Sequence, residues 1–232
     1  MESLGIRGGF GFKCLMPSLK RICLSVLAGF SVVCVLHADN QARWYRGNLH
    51  THTLWSDGDD FPEMIIEWYK TNQYDFLTLS DHNTIASGTK WVGITNESRK
   101  VAFDKYLARW GTSWVEQRKE QDVLQVRLKT YDEFAPKFEE PGQFLLMRGE
   151  EVSSRYLTAP VHIGAINIRE MVEPQTGNSV VEVMQAVVDS VVEQRQRTGQ
   201  PMFPHINHPN FRWAITAEEL MQVRNEKFFE VY

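Results

Sequence analysis

The stretch RWYRGNLHTHTLWSDGDDFPEMIIEWYKTNQYDFLTLSDHNT, Arg43–Thr84, decides the fold class. Arg43–Asn48 reads as a first strand running into His50. Phe61–Asn72 has helical periodicity, with Met64, Ile65, Trp68 and Tyr69 on one face and Pro62 in the first turn. Phe76–Ser80 is a short apolar strand that ends at Asp81-His82. A strand, a helix and a second strand, with polar motifs just past the strand ends, make a β-α-β unit of an α/β protein. Barrels of that class place their sites at the carboxyl ends of the strands.

Reading outward, residues 83–142 are less regular and read as an insertion covering the site. Within it, Ala102–Gln121 is expected as helix and Val123–Leu128 as strand, and Thr130-x-x-Glu133 is a capping box opening another helix. Trp91, Trp110 and Trp114 are expected to pack rather than bind a ligand. Beyond the insertion, Phe144–Met147 reads as a strand ending at Glu150-Glu151, Val161–Ile168 as a strand carrying His162, and Val180–Arg197 as a long amphipathic helix. Met202–His205 is expected as a strand leading to His208, Thr216–Asn225 as a helix and Phe228–Tyr232 as the start of another strand.

With 232 residues, 43% hydrophobic and 23% charged, the chain has ordinary globular composition and is long enough for one large α/β domain. Residues 1–38 contain Arg7, Lys13, Lys20 and Arg21 against Glu2, which leaves 21 basic and 28 acidic side chains in the remainder. That balance argues against a non-specific nucleic-acid binder. Lys20-Arg21 precedes the apolar run Ile22–Leu36, and Ala38 offers a small residue for cleavage. Residues 1–38 therefore read as a signal peptide, with Met16 as an alternative start and an uncleaved membrane anchor as the rival reading. The expected destination is secreted or periplasmic, with no stable membrane anchor once the leader is removed. All three cysteines, Cys14, Cys23 and Cys34, lie in this leader, so the domain from residue 39 has neither disulfides nor thiolate ligands.

Past the leader stand His50, His52, His82, His162, His205 and His208, together with Asp57, Asp81 and Glu151, in the strings NLHTHTLWSDGD, LTLSDHNT, RGEEVSS, PVHIGAINI and PHINHPN. Imidazole with carboxylate is a ligand set that divalent transition metals favour. Side chains at i and i+2 of a strand point the same way, so His50 and His52 can meet one ion. The SDG turn aims Asp57 back toward them. Alternation sets His162 on the polar face, opposite Val161 and Ile163. Of the adjacent pair Glu150-Glu151, one carboxylate is expected to point inward, where it can bridge two ions, and the other toward solvent or a basic neighbour such as Arg148. Asp81 is a candidate for orienting a histidine ring, and His205 and His208 can converge through the turn that Pro209 stiffens.

These strings resemble the polymerase and histidinol phosphatase (PHP) superfamily, and Trp44–Tyr232 resembles its CehA/McbA-type metallohydrolase branch. WSDGDDFPEMIIEWYK, the insertion after SDHNT, PVHIGAIN, INHPNFRWA and FFEVY carry the likeness. The resemblance implies a distorted (β/α)7 barrel with two or three divalent ions (Mn, Fe or Zn). It would assign His50 and His52 to the first ion with Glu151 bridging, His162 and His208 to the second, and Asp57 and His82 to the third. Asp81 matches an acid beside the motif histidine and is placed, with His205, among the catalytic candidates, although His205 has no firm counterpart in the family. The family pattern ends in a late Asp-x-His motif that this sequence lacks, so the barrel is expected to be incomplete at its C-terminus.

The implied activity is hydrolysis of a small-molecule phosphoester by metal-activated hydroxide, with carbamate or carboxylic ester hydrolysis as the alternative within the branch. The rival from another class is a secreted protein that binds metal or ligand without turnover. No phosphate-binding glycine loop, nucleotide fingerprint or serine-nucleophile motif is present.

Overall fold

The computed structural model describes residues 42–231. The expected leader, residues 1–38, lies outside the described residues. Among the described residues no helix is long and apolar enough to cross a membrane.

The α/β class is as expected. Five strands, β1 (Gly47–Asn48), β2 (Phe76–Leu79), β6 (Leu145–Tyr156), β7 (Ala159–Ile166) and β8 (Phe203–Ile206), form one curled sheet in the order β1-β2-β6-β7-β8. A smaller sheet in the order β3-β5-β4 joins β3 (Trp91–Gly93), β4 (Gln117–Glu120) and β5 (Val123–Arg127). The helices are α1 (Pro62–Thr71), α2 (Glu97–Trp110), α3 (Tyr131–Phe134), α4 (Val180–Thr198) and α5 (Ala217–Leu220).

The main sheet is mixed. β1, β2 and the first part of β6 run parallel, whereas β6, β7 and β8 run antiparallel. β6 does not stop at Glu150-Glu151, as its apolar pattern suggested. It leaves β2 after Arg148 and continues along β7 from Gly149 to Tyr156. A tight turn at Leu157, with φ 51°, returns the chain without any crossover helix. Gly149 is needed where β6 changes partner, since a Cβ there would lie 2.5 Å from Thr78 Cγ2 and 2.9 Å from the Ala165 carbonyl oxygen. Glu151 therefore sits in mid-strand, backbone-paired to β7 on one side and bridged to His82 on the other.

α1 forms where expected, with Phe61 and Asn72 as its caps, but its buried face is different. Pro62, Glu63 and Ile66 are buried, whereas Trp68 is 55% exposed. The polar Glu63 turns inward because α2 and the indole of Trp114 supply donors to it. α4 matches its expected span closely. Ser179 Oγ accepts the Glu182 N–H, Gly199 closes the helix in the left-handed region, and Val183, Val187 and Val191 form a buried stripe. The β1 strand is shorter than expected, and Phe228–Glu230 forms an isolated bridge to β8 at Phe229 rather than a strand. α5 covers one turn of the expected Thr216–Asn225 helix.

The insertion also departs from its expected form. Helix spans Glu97–Trp110 rather than 102–121, because Gly111 terminates it at φ 70° and Gln117–Glu120 pairs with β5. The capping box at Thr130 and Glu133 is present. Trp110 and Trp114 pack against the apolar core that joins the insertion to α1 and β2. A second core lies between α4 and the antiparallel strands β6, β7 and β8.

Candidate metal centre

The two ends of the quoted stretch are tied together by hydrogen bonds. Thr51 N–H donates to Ser80 Oγ at 2.9 Å, and Ser80 N–H donates to the Thr51 carbonyl at 2.8 Å. Asp81, only 2% exposed, accepts from Thr53 N–H at 2.7 Å, Thr53 Oγ1 at 2.8 Å and Ser56 Oγ at 2.7 Å. With both threonines turned inward, His50 and His52 project to the other face, and their Nε2 atoms lie 3.1 Å apart. Ser56 and Gly58 donate their N–H groups to the Thr53 carbonyl, closing the turn that brings Asp57 Oδ1 to 2.8 Å from His52 Nδ1. A Cβ on Gly58 would meet the His52 carbonyl carbon at 2.5 Å, so that closure requires glycine.

Glu151 is the hub. It is fully buried. Its Oε1 lies 3.0 Å from His208 Nε2, 3.3 Å from His50 Nε2 and 3.4 Å from His162 Nδ1. Its Oε2 lies 2.8 Å from His82 Nδ1 and 3.2 Å from His52 Nε2. Five imidazoles thus face one carboxylate. Burial opposes ionisation of Glu151, but the histidines, led by His162 and His208, hold its carboxyl far below the ordinary range. Burial likewise disfavours a charged His50, yet Glu151 and Glu230 push it up to about 9.

Four groups of these side chains bring their ligand atoms within 4.8 Å of one another: His50, His52 and Glu151; His52, Asp57 and His82; His82, Glu151 and His162; and His50, His208 and Glu230. The donor set suits a divalent ion, and so does the geometry. Glu151 Oε2 and His162 Nδ1 are buried without a hydrogen bond, despite nitrogen and oxygen neighbours at 2.8–3.4 Å. Close polar atoms that do not hydrogen-bond one another are arranged like ligands around a shared centre. Donors about 2.0–2.1 Å from a zinc ion lie roughly 2.8–3.4 Å apart around it.

The structure brings together His50, His52, Asp57, His82, Glu151, His162 and His208; His50 and His52 group with Glu151 as expected, and the other residues group differently from the expected sets. Asp57 and His82 are joined by His52. His162 groups with His82 and Glu151, whereas His208 groups with His50 and Glu230.

Three readings need correction. Asp81 orients no ring: its carboxylate grips Thr53 and Ser56, and it acts by holding the loop that presents the histidines. His205 stays out of the cluster, because its Nδ1 is 3.0 Å from Asn207 Oδ1 and burial pushes its pKa down. It acts on Asn207, whose Oδ1 also accepts Gly164 N–H, leaving Nδ2 to donate to Glu151 Oε1 at 2.9 Å. Glu150 does not face solvent or Arg148. It is fully buried, Val172 N–H donates to its Oε1, and burial pushes its pKa up to about 8.

Sequence reading missed Ser153, Asn207 and Glu230. Ser153 Oγ lies 2.6 Å from His82 Nδ1. Glu230 Oε1 lies 2.8 Å from His50 Nδ1, and Oε2 accepts His208 N–H at 2.7 Å. The alternation of β6 carried a signal for Ser153, two residues beyond Glu151. Glu230 stands in the FFEVY string that carries part of the likeness, but its segment reads as an apolar strand, and no periodicity points the glutamate at the histidines. Neither a scan against protein-family models nor a search of curated proteins finds a match to this chain.

Proposed function

We propose that this protein is a metal-dependent hydrolase with a PHP-type site, acting on small phosphoesters. The observation that carries the reading is the buried Glu151 carboxylate, with each oxygen facing different histidines, an arrangement suited to bridging. His50, His52, Asp57, His82, His162 and His208 would complete the coordination. When bound, divalent ions supply Lewis acidity to the ester oxygen and acidify water, from ~15.7 toward about 7 in the case of zinc.

The chain's own residues form the rest of the site. A cleft of about 640 Å³ opens beside the cluster, lined by His208, Asn210, Phe211, Arg212, Glu230 and Val231. Phe211 forms one wall, its ring 5.3 Å from that of His208 and 6.2 Å from that of His162. Arg212 makes no ion pair among the described residues, and its guanidinium lies 5.4 Å from the Phe211 ring. An unpaired cation at the mouth of a site in an acidic protein favours an anionic ester, and this ranks phosphoesters above carbamates and neutral carboxylic esters. The backbone around it is strained as at functional sites, with positive φ at His208, Arg212 and Trp213.

The test is to strip the protein with chelator, reload it with Mn, Fe(II) or Zn, and measure bound metal and turnover of p-nitrophenyl phosphate, bis(p-nitrophenyl) phosphate and p-nitrophenyl acetate. Metal-dependent turnover of the phosphoesters above the acetate is expected. Preference for the acetate would move the assignment to ester or carbamate hydrolysis. Metal retention without turnover of any substrate would favour a binding protein, and failure to retain metal would overturn the reading.

A further inference from the structure

We infer that Glu230 is a positioning residue for the metal centre: it fixes which nitrogen of His50 faces the ion and locks the loop carrying His208. This rests on the metal-centre reading above. The two ring nitrogens of His50 have separate tasks. Nε2 faces His52 Nε2 at 3.1 Å and Glu151 Oε1 at 3.3 Å, in the middle of the cluster. Nδ1 faces Glu230 Oε1 at 2.8 Å, away from Glu151. A carboxylate behind a ligating histidine accepts the Nδ1 proton, fixes the tautomer and raises the basicity of Nε2.

The second oxygen of the same carboxylate accepts the backbone N–H of His208 at 2.7 Å. His208 has φ 25°, a conformation that side-chain-bearing residues rarely adopt, so its backbone needs an external hold. His50 and His208 are 158 positions apart in sequence, and Glu230 connects both to one residue. Glu230 is itself anchored to the sheet. Its N–H donates to the Ile206 carbonyl at 2.9 Å, Ile206 N–H donates to the Phe228 carbonyl at 3.0 Å, and the rings of Phe203 and Phe228 are 5.0 Å apart. Placing two histidines thus depends on the seating of the Phe228–Glu230 segment along β8, and by linkage metal binding should strengthen that seating.

Glutamine cannot replace this glutamate. The two donors meet different oxygens of the carboxylate, and a carboxamide in the same place turns one of those oxygens into an NH2 donor. Zinc affinity would be measured by chelator competition on the full chain as wild type, Glu230→Gln and Glu226→Gln. The last variant is the control, because Glu226 lies just before that segment and, among the described residues, accepts only from Lys227 and Phe228 N–H. Glu230→Gln should bind zinc about 10- to 100-fold more weakly, and Glu226→Gln should match wild type. Nitrogen-15 spectra of histidine in the zinc-loaded wild type should show His50 metallated at Nε2 with a proton on Nδ1. In Glu230→Gln that Nδ1 proton signal should shift, or the His208 amide should exchange faster. Wild-type zinc affinity in Glu230→Gln with the His50 and His208 signals unchanged would overturn the inference while leaving the metal centre standing. Equal weakening in both variants would reduce Glu230 to general support of the segment and also overturn it. A wild type that takes no zinc or other divalent ion would remove the centre itself.

Discussion

Two fully buried glutamates, Glu63 beneath the insertion and Glu151 in the main sheet, show what separates a structural carboxylate from a candidate ligand. Glu63 Oε1 accepts from Tyr106 Oη at 2.6 Å and Trp114 Nε1 at 2.8 Å. Burial is the dominant influence, and it pushes the Glu63 carboxyl up despite these donors. Glu151 meets five imidazoles, and its carboxyl is pushed the other way. A phenol and an indole are fixed donors that need nothing further. Imidazoles accept as readily as they donate, and several point ring nitrogens into the same small space, an arrangement that a cation resolves. The insertion is bonded to α1 and the preceding loop through Lys105–Asp60, Arg109–Glu67 and the Trp55 indole, and these bonds involve none of the clustered histidines.

The contrast is tested most directly at its centre. Glu151→Gln should lose nearly all bound metal, because a carboxamide carries no charge and its NH2 would point at imidazole nitrogens. Glu63→Gln should keep its metal. Elemental analysis of the two purified variants checks this, and equal metal content would remove the distinction between the two sites.

The next largest effect is on pH. Metal must displace the proton from His50, whose pKa is raised from 6.5 to about 9 in the metal-free protein. Affinity should therefore climb with pH by about tenfold per unit until about 9 and then level, for one released proton. Since the folded pKa is the higher one, protonated His50 also stabilises the metal-free fold. That contribution is complete below about 6.5 and is lost as pH rises through about 9. Chelator competition from pH 6 to 10 measures the first effect and thermal unfolding of stripped protein the second. A flat affinity profile would contradict the proton competition.

Much of this was legible in the sequence, for reasons that differ from region to region. The HxH pair, the SDG turn, Asp81-His82 and His162 depend on period-two alternation and short turns, which are local properties. α4 carried its own caps and valine stripe. The course of β6 was not legible, because an apolar strand ending in two glutamates looks finished. Only Gly149 and the partner strand β7 let it continue and bury both acids. The inward turn of Glu63 depends on Tyr106 and Trp114, about 40 to 50 positions away, and Glu230 depends on His50 at 180. Pairings at that range leave no periodic trace.

Glu150 falls between the two cases, buried but held by a single backbone donor. Its folded pKa of about 8 lies above its ordinary 4.5, so the native state keeps a proton that the unfolded chain releases. Stability should fall as pH rises from about 4.5 to about 8. Glu150→Gln preserves the acceptor for Val172 and cannot ionise. It should raise the melting temperature at pH 8 by a few degrees, change it little at pH 4.5, and leave metal content intact. Loss of metal in this variant would place Glu150 in the cluster after all.

The smallest effect is expected back at Glu63. Its carboxyl is pushed up by burial, and in glutamine the carbonyl oxygen can accept from both Tyr106 and Trp114. The other oxygen already lacks a partner, so no bond is lost there. Glu63→Gln should therefore change unfolding free energy by no more than about 1 kcal/mol, whereas Glu63→Leu should cost about 1–3 kcal/mol by leaving two buried donors unanswered. Denaturant melts of the two variants at neutral pH check the difference. If glutamine cost as much as leucine, the charge on Glu63 would matter to the fold, and Lys129, nearby and 5% exposed, would be the group answering it.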